Sequence, residues 1–200
     1  YMEELFRALA KLPLRGWTCQ AEQMVAEHPD LLTLAREAHM DKFFIGFESL
    51  NPDNRRELGG KAKGNAEHYR SVIKTVQKHG IGVVGLFVFG FDHDTFATFD
   101  QTLQFVRSSE LDSVSATVLT PFPATEQRTQ LLAANRILPH DTWEDYDTAH
   151  VTFVPALMTV DELRDSYDWL CRKLYSPTMI AQRSLRQLAR HPLPKVPKRL

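Results

Sequence analysis

Cysteine is almost missing from this 200-residue chain, which has only Cys19 and Cys171. Two thiols so far apart exclude a disulfide scaffold and a cysteine-rich zinc site, and they suit a reduced, cytoplasmic setting. Long hydrophobic runs are missing too. None approaches the ~18 residues that a membrane span needs. Neither sign of charge dominates: 24 Lys and Arg stand against 25 Asp and Glu, a formal net charge of −1. That balance implies no general affinity for nucleic acid or another polyanion. Tyr1-Met2-Glu3-Glu4 has no basic-then-apolar signal segment. No G-x-G-x-x-G follows a strand-like run, and there is no nucleophile elbow. What is present, 43% hydrophobic and 24% charged residues, is the composition of an ordinary folded domain.

Apolar spacing sets the expected elements. Met2, Leu5, Phe6 and Leu9 have helical spacing with no capping residue ahead of them. A chain that opens inside an element reads as a piece of a longer protein. Strand-like runs cover 15–20, 42–47, 81–90 and 113–120. Between them, 29–39 reads as a helix with Leu31, Leu34, Ala35 and Ala38 on one face. Residues 65–79 form another, capped by Asn65, with Tyr69, Val72, Ile73 and Val76 as its stripe. Asp94 is a candidate cap for a third helix, carrying Phe96, Phe99, Leu103 and Val106. Thr159-Val160-Asp161-Glu162 is a capping box ahead of Leu163, Tyr167, Leu170 and Leu174. Ser176-Pro177 starts a last helix with Ile180, Leu185 and Leu188.

The strand runs are continuously apolar, which predicts a parallel sheet with helices over both faces or around one side of a ring. The expected fold is α/β: a partial β/α barrel with about four parallel strands in residues 1–145. A C-terminal helical extension follows in 146–190, then a disordered basic tail in 191–200. A lone four-stranded parallel sheet with exposed edges is the alternative.

In parallel β/α folds ligands gather at the carboxyl ends of strands. Those ends are Gln20 and Glu22, then Glu48 and Ser49, then Gly90, Asp92 and His93, then Thr120-Pro121-Phe122-Pro123. A carboxylate such as Glu48, placed after an apolar run, can accept two hydrogen bonds from a ribose diol; it can equally pair with a lysine or cap the next helix. Gly82, Gly85 and Gly90 allow either the close approach of a flat ring such as adenine or a bulge and tight packing. Asp92-His93-Asp94 has metal-ligand residue types, but adjacent residues seldom converge on one ion, and Asp94 suits a cap. The basic C-terminus suits an acidic partner or a solvated tail, and it lacks the interleaved aromatics that stack bases.

The chain resembles the radical S-adenosylmethionine (SAM) enzymes, nearest to those with an upstream cobalamin-binding domain. Phe44-Ile45-Gly46-Phe47-Glu48-Ser49-Leu50-Asn51-Pro52 resembles their fourth-strand segment. Gly80 to Gly85 and Phe89 to Thr95 resemble the fifth strand and its loop. Leu119-Thr120-Pro121-Phe122-Pro123-Ala124-Thr125 resembles the sixth-strand exit, with Ala124 where glycine is commoner. His150 to Tyr175 resembles the C-terminal extension of that group.

The resemblance implies a partial six-unit β/α barrel and SAM as cofactor. It implies that Glu48 and Ser49 lie near the ribose and methionyl part of SAM. Lys61 falls near a basic position for its carboxylate, Gly90 on the adenine-facing strand and Asp92 among the cofactor-binding residues of the loop after it, with Thr120 and Pro121 flanking adenine and Gln20 facing SAM or substrate. The family's 4Fe–4S cluster is held by a C-x-x-x-C-x-x-C segment that this chain lacks. The expected partners are therefore an upstream cluster-bearing segment, an upstream cobalamin domain and a small-molecule substrate. The expected activity of the complete protein is reductive cleavage of SAM to a 5′-deoxyadenosyl radical, with the isolated chain inactive. Two other readings stand beside it: a non-catalytic, partner-binding remnant of such a barrel, and an unrelated β/α hydrolase or aldolase using Asp92, His93 and Glu48 around a divalent ion.

Overall fold

The computed structural model describes residues 1–58, 64–139 and 142–190. Four strands, β1 (Trp17–Ala21), β2 (Met40–Glu48), β3 (Gly82–Phe89) and β4 (Ser113–Val118), form one parallel sheet in sequential order. That is the order of a barrel wall, in which each crossover helix returns the chain to the next strand. The sheet stays open.

Helix α1 (Met2–Leu9) precedes β1, and α2 (Pro29–Glu37), α3 (Pro52–Glu57), α4 (Ala66–Lys78) and α5 (Phe96–Ser108) supply the crossovers. The core lies between the sheet and one layer of them. Phe47 packs on Tyr69 of α4, with ring centroids 4.7 Å apart, and Phe89 stacks on Phe99 of α5 at 4.5 Å. On β1, Trp17 packs against Phe6 of α1 and donates its indole N–H to the Ala38 carbonyl at the end of α2. Side chains pointing the other way, among them Phe44, Leu86, Val88, Ser115 and Thr117, are only half-buried, and Gln20 is exposed. Helices therefore cover one face, and the other is the inner wall of an open barrel.

Sequence and structure part company at three places. Asp94 does not cap α5; Thr95 does, through a capping box with Thr98. Thr95 is in the extended region a cap requires, whereas the Asp94 carboxylate turns back to accept the N–H groups of Gly90 and Phe91. In α2 the fully buried positions are Leu32 and Ala35, with Leu31 and Leu34 only partly covered. The short helices α3 and α6 (Glu126–Ala133) carry no apolar stripe that would announce them.

The last helices, α7 (Val160–Leu174) and α8 (Pro177–Arg190), lie outside the β/α alternation. The expected disordered tail, 191–200, falls outside the described residues. Helix α7 runs beside β4 and closes that edge of the sheet. Tyr167 Oη donates to the Ala116 carbonyl at 3.1 Å and Tyr175 Oη to the Val114 carbonyl at 3.2 Å. A backbone bond from Val118 N to the Thr148 carbonyl extends the seal. An uncovered edge invites another strand. At this edge two phenols occupy the acceptors a new strand would use. Replacing either tyrosine by phenylalanine should cost about 1 kcal/mol of stability, the usual net value of such a bond. Urea unfolding of the single and double variants checks this, and no change in the double variant would contradict the seal.

Candidate functional site

An open cavity of about 610 Å³ lies beyond the carboxyl ends of β2, β3 and β4. Glu48, Val88, Phe91, Asp92 and Leu119 line it from the strand exits, α6 contributes Glu126, Gln127, Gln130 and Leu131, and Arg136 and Phe153 close it.

Glu48 ends β2 in the left-handed region, at φ 59°. The ladder to β3 shifts register there, between Gly46 and Glu48. The side chain folds back over Gly46, where a Cβ would stand 2.3 Å from Glu48 Oε1, so a side chain at position 46 would make the carboxylate move aside. Among the described residues no hydrogen bond or ion pair engages this carboxylate, and burial pushes its pKa above the ordinary glutamate range.

The other acids at the cavity are engaged. Asp92 takes two hydrogen bonds from the Arg136 guanidinium, at 2.7 and 3.1 Å. Glu57 meets His93 Nε2 at 2.6 Å. Glu126 accepts from Gln130 at 3.1 Å. Arg136 also donates to the Val154 carbonyl, which pins the rim segment 152–154 beside 136–138.

Of the residues singled out in the sequence, the structure brings Glu48 and Asp92 to the cavity wall. Ser49 is buried beneath it, its hydroxyl accepting from Asn51 N and Asn54 Nδ2. Gly90 is buried behind Phe153 and Leu163. Thr120 bonds back to the Val118 carbonyl, and the buried Pro121 gives its carbonyl to Arg128. Gln20 is exposed on β1. Lys61 lies outside the described residues. Ala124, where the family pattern favours glycine, sits at φ 62° and so keeps the left-handed turn despite its side chain.

The cavity residues that sequence reasoning missed are Arg136, Phe153, Glu57 and the α6 set. Only α6 left a trace: Thr125 is its N-cap and accepts from Arg128 N.

Asp92, His93 and Glu48 do not converge on one point, since Asp92 is held by Arg136 and His93 by Glu57. Among the described residues no three His, Cys, Asp or Glu side chains could hold a metal ion. Cys19 and Cys171 are separate and half-buried, and burial pushes both thiols up, away from the thiolate form that a cluster needs. The described residues therefore do not fit a 4Fe–4S cluster. They do fit a nucleoside sulfonium: there is one uncommitted carboxylate for a diol or a cation, in a cavity whose acids outnumber its one arginine.

Fold and site define a half-barrel of the β/α kind with its ligand end built around a lone carboxylate. Residues 1–106 match the radical SAM superfamily model, and the chain belongs to that family. It is 31% identical over 183 residues to bacteriochlorophyllide d C-12(1)-methyltransferase of Chlorobaculum tepidum, covering 92% of this chain and 39% of that protein. It is 25% identical over 176 residues to the hopanoid C-2 methylase of Rhodopseudomonas palustris, covering 86% of this chain and 31% of that one. The radical SAM methyltransferase TsrM of Kitasatospora setae, solved with cobalamin and a 4Fe–4S cluster bound, shares the fold at a TM-score of 0.55 and 14% identity. That match covers 94% of this chain and 40% of TsrM. The chain thus spans two fifths or less of the length of each relative.

Proposed function

We propose that this chain forms the SAM-holding side of a radical SAM methyltransferase that works with cobalamin and acts on a small-molecule substrate. Its cluster is held by residues outside those described. The observation that carries the reading is Glu48: a half-buried carboxylate with no protein partner, at a strand exit, facing a cavity large enough for a nucleoside. Family membership supplies the cofactor class, and the relatives' names, methyltransferases and a methylase, supply the reaction class.

When bound, SAM supplies a sulfonium whose carbon–sulfur bonds can be broken. This chain's residues hold it. Glu48 accepts the ribose hydroxyls, as acidic residues do at other nucleotide sites. Phe91, Leu119 and Phe153 give the apolar wall and keep water out. Asp92 and Arg136 lock the rim. No helix among the described residues is long and apolar enough to cross a membrane. A cytoplasmic setting agrees with the two free thiols.

The test compares the full-length protein with this chain alone, both treated with iron, sulfide, cobalamin and a reductant. The full-length protein should form 5′-deoxyadenosine or S-adenosylhomocysteine from SAM, and the lone chain neither. Turnover by the lone chain would overturn the division of labour, and SAM-independent behaviour of the full-length protein would overturn the function.

A further inference from the structure

The exits of β2 and β3 are joined by a buried polar link outside the lining of that cavity. Asn54 of α3 is wholly buried, and Asp94 and Ser49 are each 2% exposed. Asn54 Nδ2 donates to Asp94 Oδ1 at 2.6 Å and to Ser49 Oγ at 3.2 Å, while Asn54 Oδ1 accepts from His93 N at 3.0 Å. Asp94 Oδ2 accepts from Gly90 N at 2.8 Å and Phe91 N at 3.1 Å. Asn51 Nδ2 adds a bond to the His93 carbonyl at 2.7 Å.

Every polar atom of the Asn54–Asp94 pair is thus engaged. One end grips the residue after Glu48; the other grips the backbone just before Asp92. Burying a carboxylate is costly, and apolar residues could close this gap more cheaply. What apolar packing cannot do is fix two strand ends by directional bonds.

We propose that Asn54 and Asp94 are positioning residues that hold Glu48 and the Phe91–Asp92 wall at the separation SAM requires. This rests on the functional reading above. Neither residue lines the cavity, so they act through Ser49, Gly90 and Phe91.

Donor and acceptor geometry makes a sharp test. In Asp94→Asn the new amide can keep the Gly90 and Phe91 bonds only by turning its NH2 toward the NH2 of Asn54. In Asn54→Asp two carboxylates face each other. Exchanging both, Asn54→Asp with Asp94→Asn, reverses two hydrogen bonds, those of position 54 with position 94 and with Ser49, and restores the rest. The amide at position 94 then accepts from Gly90 and Phe91 and donates to the carboxylate at position 54. That carboxylate in turn accepts from His93 N and from the Ser49 hydroxyl.

The dissociation constant for SAM is measured by equilibrium dialysis on the full-length protein, at a temperature where circular dichroism shows each variant folded. Each single variant should weaken SAM binding by about tenfold, the usual scale for loss of a supporting shell. The exchanged pair should return to within about threefold of the parent. Single variants that lower the thermal midpoint yet bind SAM as the parent does would overturn positioning and leave the functional reading standing. A parent protein that binds no SAM would overturn both. Should the single variants not fold, the exchanged pair still decides, because it keeps the full bond set: failure to fold or to bind SAM overturns the proposal.

Discussion

Glutamine in place of Glu48 should weaken SAM binding by about tenfold or more while making the full-length protein slightly more stable at neutral pH. The two effects share one cause. The carboxylate is half-buried with no partner among the described residues, so the folded protein bears the desolvation of a charge that nothing offsets. A hydroxyl pair donating to an anion is worth more than the same pair donating to a neutral amide, by an amount that corresponds to about tenfold or more in affinity.

The sign of the pH dependence follows from the raised pKa. A carboxyl group whose folded pKa lies above its unfolded one favours the folded state at low pH, and that contribution is lost as pH rises through the folded value. The stability gap between Glu48→Gln and the parent should therefore be small below the ordinary glutamate range, widen as pH climbs from there to the raised Glu48 pKa, and level off above it. SAM binding runs the opposite way in the parent, falling as pH drops through that same pKa, and in the glutamine variant this step should vanish. Thermal midpoints and dialysis between about pH 4 and 8, a range that brackets a raised glutamate pKa, read both. A glutamine variant that binds SAM as tightly as the parent would remove Glu48 from the site.

Much of this arrangement is legible in the residues, and the illegible parts have physical reasons. Strands β2 and β3 are apolar on both faces near their centres, because helices cover one side and side chains half-fill the barrel wall on the other, whereas β1 and β4 alternate, with Thr18, Gln20, Ser115 and Thr117 turned to the inner face. That produces continuous runs, and their exits lead directly to Glu48 and Asp92. Tyr69, Val72, Ile73 and Val76 announce α4 because each faces the sheet. Helix α6 buries only Leu131; its other residues face the cavity or the solvent, so no stripe forms. Arg136 and Phe153 escape notice for a different reason. Their roles come from the antiparallel pairing of 136–138 with 152–154, a contact between loop segments that no local pattern encodes. Asp94 reads as the cap in the sequence, and only the tertiary demand of the Gly90 and Phe91 N–H groups draws it away and leaves that place to Thr95.

Alanine at Gly90 should destabilise the protein by about 2–4 kcal/mol, from backbone strain and overpacking together. Gly90 has φ +105°, a conformation that side-chain-bearing residues rarely adopt. A Cβ there would stand 3.0 Å from Phe153 Cζ and 3.3 Å from Leu163 Cδ2, two wholly buried side chains. Neither can yield freely. Leu163 sits in the first turn of α7, which seals β4, and Phe153 belongs to the rim segment bridged to Ile137. Relief by moving Phe153 would push it into the cavity it lines, so SAM binding should fall along with stability. Gly16 provides the contrast. Its nearest would-be contacts are 3.7 and 3.9 Å away, so Gly16→Ala should stay within about 0.5 kcal/mol of the parent. Urea midpoints for the two variants, with SAM dialysis on whichever folds, give the comparison. Equal midpoints would mean that the rim around Phe153 yields at little cost, and the account of Gly90 as the packing point between β3 and α7 would have to be abandoned.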